Sequence, residues 1–336
     1  MHPMKYLSYL LLGIISLFTI THCGSEVSGD LAATFLRTEY MEEPVGIDDP
    51  QPRFSWIILS TERGVMQDAY QVLVATEADI LADDHGDAWD SGRVTSGNST
   101  QVVYDGDDLQ PDQVYYWKVR VWDAVGGVSS WSEPATFQIG LTSDNQWQGD
   151  WVGTDTTVSA PILRKEFAPE KEVEQAFIYI AGIGYYELFV NGEKIGDHRM
   201  DPGTTNYHER VLYETYDVTE NLIEGDNALG VWLGNGWYKH RGVQEYGDRP
   251  KLLLQMNIQY TDGTTMSVVS DNSWKVSESP ITANSIWDGE IYDARLEQPG
   301  WNSAGFDDSG WDMAQVVEAP SGVLDSQIMP PIKVME

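Results

Sequence analysis

The sequence predicts an all-β protein of two consecutive sandwiches, the second a jelly roll. Three observations carry this reading. Past residue 30 no long stretch sustains helical periodicity. Apolar residues come instead in short β-branched and aromatic runs broken by Gly, Asn, Asp and Pro, the pattern of sandwiches and jelly rolls. The chain also carries 13 Trp and 17 Tyr in 336 residues, a load met in β-rich cores and in proteins that stack sugars. Its length is enough for two domains with a core each.

The N-terminus, residues 1–23, reads as an export signal. Lys5 precedes the apolar run "YLSYLLLGIISLFTI", Tyr6 to Ile20, which is short for a bilayer span and is followed by polar residues. Cys23, the only cysteine, lies just past it, so no internal disulfide framework exists. Its placement resembles a bacterial lipoprotein signal, in which the Cys becomes the lipidated first residue and residues 24–30 the tether. His22 stands where such signals usually carry a small residue, and cleavage that removes Cys23 is the alternative. The expected location is the periplasm or cell surface, with membrane contact only through the lipid. A formal charge of -33 repels the phosphate backbone, which disfavours nucleic acid as a partner.

The first sandwich is expected over residues 31–141. "DAYQVLVAT" (Asp68 to Thr76) alternates as a strand does, and "STQVVY" (Ser99 to Tyr104) is a second short strand. "VYYWKVRVWD" (Val114 to Asp123) is a third. It places Tyr115, Trp117, Val119 and Val121 on one face and Tyr116, Lys118, Arg120 and Trp122 on the other. A turn at Gly126 and Gly127 leads to "PATFQIG" as its hairpin partner. In "LQPDQVY" the position of Tyr115 matches a tyrosine corner, where the hydroxyl bonds a nearby backbone group. With "YWKVRVWD" and "SSWSEP", this spacing resembles a fibronectin type III-like domain.

The polar segment "TSDNQWQGD" (Thr142 to Asp150) marks the boundary. The second domain, residues 150–336, is read as strands "ILRKEF", "QAFIYIAG", "YYELFVNG", "VLYETYDV", "ALGVWLG" and "KLLLQMNIQY". "YTDGTT" is an Asp-Gly hairpin turn and "EGDNALGV" a turn entering a strand. The one helix-like piece is "VTENLI", with Thr219 as a cap. So many strands over this length suit a jelly roll.

Several phrases go beyond composition: "GYYELFVNGEKIGD", "RVLYETYDVTENL", "GVWLGNGWY", "DGEIYDARLEQPGW" and "FDDSGWDMA", preceded by "GIDDPQPRFSW" and "AWDSGRV". In this order they resemble the N-terminal part of bacterial α-L-rhamnosidases, which remove terminal L-rhamnose. One departure is Thr204, where that family frequently has Trp. The resemblance implies a leading fibronectin-like domain and a jelly roll of carbohydrate-binding type. It also implies that the catalytic carboxylates lie on a later (α/α)₆ barrel. Nothing from Leu31 to Glu336 offers the amphipathic helices of such a barrel, so the chain is expected to lack the catalytic domain of its parent and to be inactive alone.

Candidate sites follow. In "LGNGWYKHRG" (Leu233 to Gly242) two glycines and Asn235 sit beside Trp237 and Tyr238. Gly permits close backbone approach, and Trp and Tyr offer flat amphipathic faces. Asn235, Trp237 and Tyr238 either face a sugar or shape a turn over the core. Asp288 and Glu290 in "SIWDGE" are oxygen donors of the kind calcium prefers, and the related enzymes have a domain of this type that binds rhamnose with calcium. No EF-hand spacing, H-E-x-x-H, G-x-G-x-x-G or G-x-S-x-G motif is present. Glu290 and Asp293 with Arg295 are the most suggestive carboxylates for glycoside hydrolysis. The competing reading is an ion-pair network fastening a loop, and no catalytic residue is assigned. The expected role is a non-catalytic, rhamnose-glycan-binding part of an α-L-rhamnosidase. The alternatives are a free-standing carbohydrate-binding surface lipoprotein and an adhesive or structural sandwich.

Overall fold

The structure, a computed structural model, describes residues 31–335 except 156–157, 240–245 and 248. The export signal, Cys23, the tether and His240 to Gly242 lie outside the described residues.

The first domain is a sandwich of two antiparallel sheets. Ala32–Thr38, Arg53–Leu59 and Val102–Val103 form one. Gln67–Ala75, Val114–Asp123 and Ala135–Gln138 form the other, with Trp89–Asp90 and Val94–Thr95 at the edge of Gln67–Ala75. Strand alternation fills the space between them. Tyr115, Trp117, Val119 and Val121 all face Phe54, Trp56, Val72 and Phe137, and the Phe54 and Trp117 rings are 4.5 Å apart. The tyrosine corner is present: the Gln110 N–H donates to the Tyr115 Oη at 2.8 Å.

The opposite face of Val114–Asp123 differs from a solvated one. An α-helix, Ala78–Ala82, lies over it. Lys118 is buried there, its Nζ donating to the Leu81 carbonyl at 2.6 Å and to Asp84 at 2.5 Å. The reading of "VTENLI" as the one helical piece is therefore corrected. That segment forms only a 3-10 turn, Thr219–Asn221, with Val218 at the cap position. The Thr219 hydroxyl instead accepts from the Ala176 N–H and donates to Asp217.

The second domain packs two larger sheets face to face. One runs Glu193–Lys194, Tyr185–Val190, Asn227–Gly234, Pro161–Phe167, Lys275–Glu278, Asp312–Met313. The other runs Gln315–Val316, Val152–Gly153, Lys251–Tyr260, Val173–Ile183, Arg210–Asp217, Val323–Ser326, with Thr265–Val269 beside Lys251–Tyr260. Leu163, Leu188 and Val231 from the first meet Ile178, Ile180 and Leu254 from the second. Residues 176–183 of Val173–Ile183 read as a continuous apolar run because both faces are buried there. Ile178 and Ile180 enter this core, while Phe177, Tyr179 and Ile183 enter another with Leu141, Trp151 and Tyr213.

That second face meets the first domain across a polar seam. Tyr179 Oη accepts from Gln138 Nε2 at 2.6 Å and donates to Asp112 at 2.5 Å. Asn257 Nδ2 donates to the other oxygen of Asp112 at 3.1 Å. Ser326 N–H donates to Asp48 at 2.6 Å. Backbones also touch closely here: Gly46 has φ +79°, and a Cβ on it would sit 2.0 Å from Thr215 Oγ1.

Candidate functional site

The site is built where the Asn227–Gly234 strand ends. Its exit, Gly234-Asn235-Gly236, lies directly on the backbone of Gly184. A Cβ on Gly236 (φ +49°) would come within 2.7 Å of the Gly184 carbonyl; only glycine permits that approach in that conformation. Asn235 is buried and acts as a bracket. Its N–H donates to Asn284 Oδ1 at 2.7 Å, and its Nδ2 donates to the Asn284 carbonyl at 3.0 Å. Asn284 in turn donates to the Ser159 carbonyl at 3.0 Å. The bracket fixes the hairpin of Ile281–Ser285 and Gly289–Tyr292 against the strand exit.

Between them opens a cleft of about 640 Å³, half open to solvent, a size suited to a small ligand. Tyr185, Trp232 and Tyr292 give it aromatic walls, and Asn284, Ser285 and Glu290 give it polar groups. Two buried polar atoms near by have no hydrogen-bond partner among the described residues: the Trp232 indole N–H and Asn235 Oδ1.

The sequence-read residues distribute unevenly about this cleft. Asn235 supports the wall from beneath. Tyr238 is 1% exposed and packs edge-on against Tyr207 at 5.3 Å, so it fills the core. Trp237 is half-buried and packs edge-on against Trp287, which is 67% exposed at the hairpin tip. Glu290 lines the cleft, whereas Asp288 sits on the tip with its N–H donating to Ser285 Oγ at 3.2 Å. Among the described residues no third His, Cys, Asp or Glu converges with these two. Asp293 caps the Ala294–Leu296 turn and pairs with Arg295 at 2.5 Å, which holds its carboxyl below the ordinary range. Asp293 and Arg295 thus pair within one turn, and Glu290 stands outside that pair. Thr204 is exposed. Sequence reasoning missed Tyr185, Trp232 and Tyr292, because only the fold shows which aromatics of a strand face the cleft. The "YYELFVNG" and "GVWLG" phrases carried the signal without its direction.

Comparison with known proteins places this geometry. Residues 33–143 match the family model described as the Rha78A-like, N-terminal immunoglobulin domain. Residues 171–336 match the model of the alpha-L-rhamnosidase N-terminal domain. An alpha-L-rhamnosidase of Formosa agariphila is 38% identical over 87% of this chain, and one of Alteromonas sp. is 32% identical over 89%. The chain covers 34% of each, so it spans about a third of the length of the curated relatives it matches. The solved α-L-rhamnosidase of Dictyoglumus thermophilum superposes with a TM-score of 0.87 at 41% identity, over 93% of this chain and 37% of that one. The Streptomyces avermitilis α-L-rhamnosidase, solved in complex with L-rhamnose, superposes with a TM-score of 0.87 at 25% identity, over 91% and 47%.

Proposed function

The chain belongs to the α-L-rhamnosidase family, as its N-terminal immunoglobulin-like and β-sandwich domains, and from that premise we propose that it is a non-catalytic, sugar-binding part of a rhamnoside-cleaving enzyme. The cleft beside the Gly-Asn-Gly exit carries the proposal. Its aromatic walls suit the apolar faces of a pyranose, and its few polar groups suit the hydroxyls. Calorimetry with L-rhamnose tests it. Weak binding that is lost in Tyr292→Ala supports the reading; no heat and no melting shift leaves only a structural role.

Calcium dependence belongs to the same proposal. Asn235 Oδ1 is a buried oxygen without a donor among the described residues, and Glu290 offers a carboxylate on the cleft wall. Both suit a hard cation, which would help hold sugar hydroxyls. Repeating the titration with EDTA tests this part. Hydrolysis is not expected, because it needs an acid placed opposite a base or nucleophile. The cleft offers Glu187, already paired with Lys194 at 2.6 Å, and Glu290. Turnover of p-nitrophenyl α-L-rhamnoside that Glu290→Gln or Asp293→Asn abolishes would move the active site into this domain. Export with acylation of Cys23 completes the proposal; equal membrane association of Cys23→Ser in the native host would overturn it.

A further inference from the structure

A second group of side chains, none of them assigned above, lies beside the cleft, whose lining includes Arg199 and Met200. His198 begins the short His198–Arg199 strand, which pairs with Ile332–Lys333 near the C-terminus. Its Nδ1 is 2.8 Å from Asp201 Oδ2 and 3.9 Å from Glu214 Oε1. One ligand atom from each of the three residues lies within 4.8 Å of the others. Asp201 is 5% exposed and Glu214 8%, while the His198 side chain keeps 21% of its surface, which gives a route from solvent.

The charge at this place is unbalanced. Two carboxylates are buried side by side, and no Lys or Arg pairs with either among the described residues. Lys333 pairs with the exposed Asp197 at 3.0 Å instead. Gln327 Nε2 donates to both carboxylates, and its Oε1 is turned away to accept from the Gly203 N–H at 2.6 Å. A neutral amide brings no positive charge to these two buried carboxylates, and burying such groups together calls for a proton or a cation among them.

We propose that His198, Asp201 and Glu214 bind one divalent transition-metal ion of the zinc class. Two carboxylates neutralise a divalent ion, and one imidazole nitrogen selects for zinc or manganese over calcium, which takes oxygens in larger number. Gln327 then acts from behind, orienting both carboxylates as partners of ligands commonly do. Because Gln327 and Lys333 lie on the C-terminal segment, the ion would clasp that segment to the sheet.

The test uses the untagged chain, stripped with EDTA and titrated with ZnCl₂, MnCl₂ or CaCl₂. The expected result is one equivalent of zinc by calorimetry and elemental analysis, weaker manganese, no calcium at this place, and a raised melting temperature with zinc. His198→Ala and Glu214→Gln each weaken zinc binding about tenfold or more, with circular dichroism checking the fold. His208→Ala, at another surface histidine, leaves binding unchanged. Absence of stoichiometric zinc, or zinc binding that survives both ligand variants, overturns the site. Sugar titrations of Tyr292→Ala read the cleft independently, so the two proposals fail separately.

Discussion

Arg164 is buried in the middle of its sheet and reaches a distant loop with three of its hydrogen bonds. Nε donates to the Trp301 carbonyl at 2.8 Å and Nη2 to the Ser303 carbonyl at 3.0 Å. Asp308 and Glu166 balance its charge. The loop it holds lays Trp301 over Gly230, where a Cβ would meet the indole at 2.9 Å. Arg164→Met should cost about 3 kcal/mol, the low end for a buried ion pair, since both carboxylates reach solvent and relax when unpaired. Urea denaturation checks it; a loss below about 0.5 kcal/mol would deny the clamp. Tyr115→Phe should cost about 1–2 kcal/mol, because it strands the Gln110 N–H, again read from the urea midpoint. These two residues also mark what a sequence discloses. Tyr115 was legible because its partner is 5 residues away and the motif is local. Arg164 was not, because its partners lie 137 and 144 residues on and only the fold brings them together.

At the scale of the element, alternation disclosed the two faces of Val114–Asp123 but not what covers the second. Lys118 and Trp122 share the second face, and both are buried. Lys118 is covered by a helix of five residues, too short to show a period, and by Trp131, whose ring also lies 4.5 Å from the Arg120 guanidinium carbon, while Trp122 packs with Ala69 and Val128. The Gly-Asn-Gly exit was legible as a tight turn, but not its partners, since Gly184 sits in the bend between Val173–Ile183 and Tyr185–Val190 and Asn284 on the Ile281–Ser285 strand. Gly236→Ala should displace the exit, because its φ is positive and its Cβ would press on Gly184. A loss of more than about 1 kcal/mol is expected, together with weaker rhamnose binding. An unchanged melting temperature would show that the exit is not constrained as described.

At the scale of the molecule, the order of the two sandwiches was legible from their strand patterns, but the seam between them was not. Asp112, Gln138, Tyr179 and Asn257 carry no local motif. Burial raises the carboxyl pKa of both Asp112 and Asp48 above 3.8. A raised native value means that the folded seam holds its proton more tightly than the unfolded chain does. Its contribution is therefore fully present below the unfolded value. It declines as pH rises from there through the raised native values, and is flat beyond. Asp112→Asn should flatten that decline, measured as the difference in urea stability from wild type across the acid-to-neutral range. A parallel pH slope in the variant would remove Asp112 from the account. Gly46→Ala tests the seam sterically: it should loosen the two domains and split one unfolding transition into two by calorimetry.

Among the ladders between strands of the described residues, one is parallel: Val323–Ser326 runs alongside Arg210–Tyr213, and its last residue is bonded to Asp48 of the other sandwich. Two strands that point the same way resist traction along their axis by shear, with all their hydrogen bonds loaded at once and none peeled first. A tug arriving from the C-terminal side would meet the Ile332–Lys333 pairing and then this catch before either core. Both sandwiches would then move as a single rigid lever.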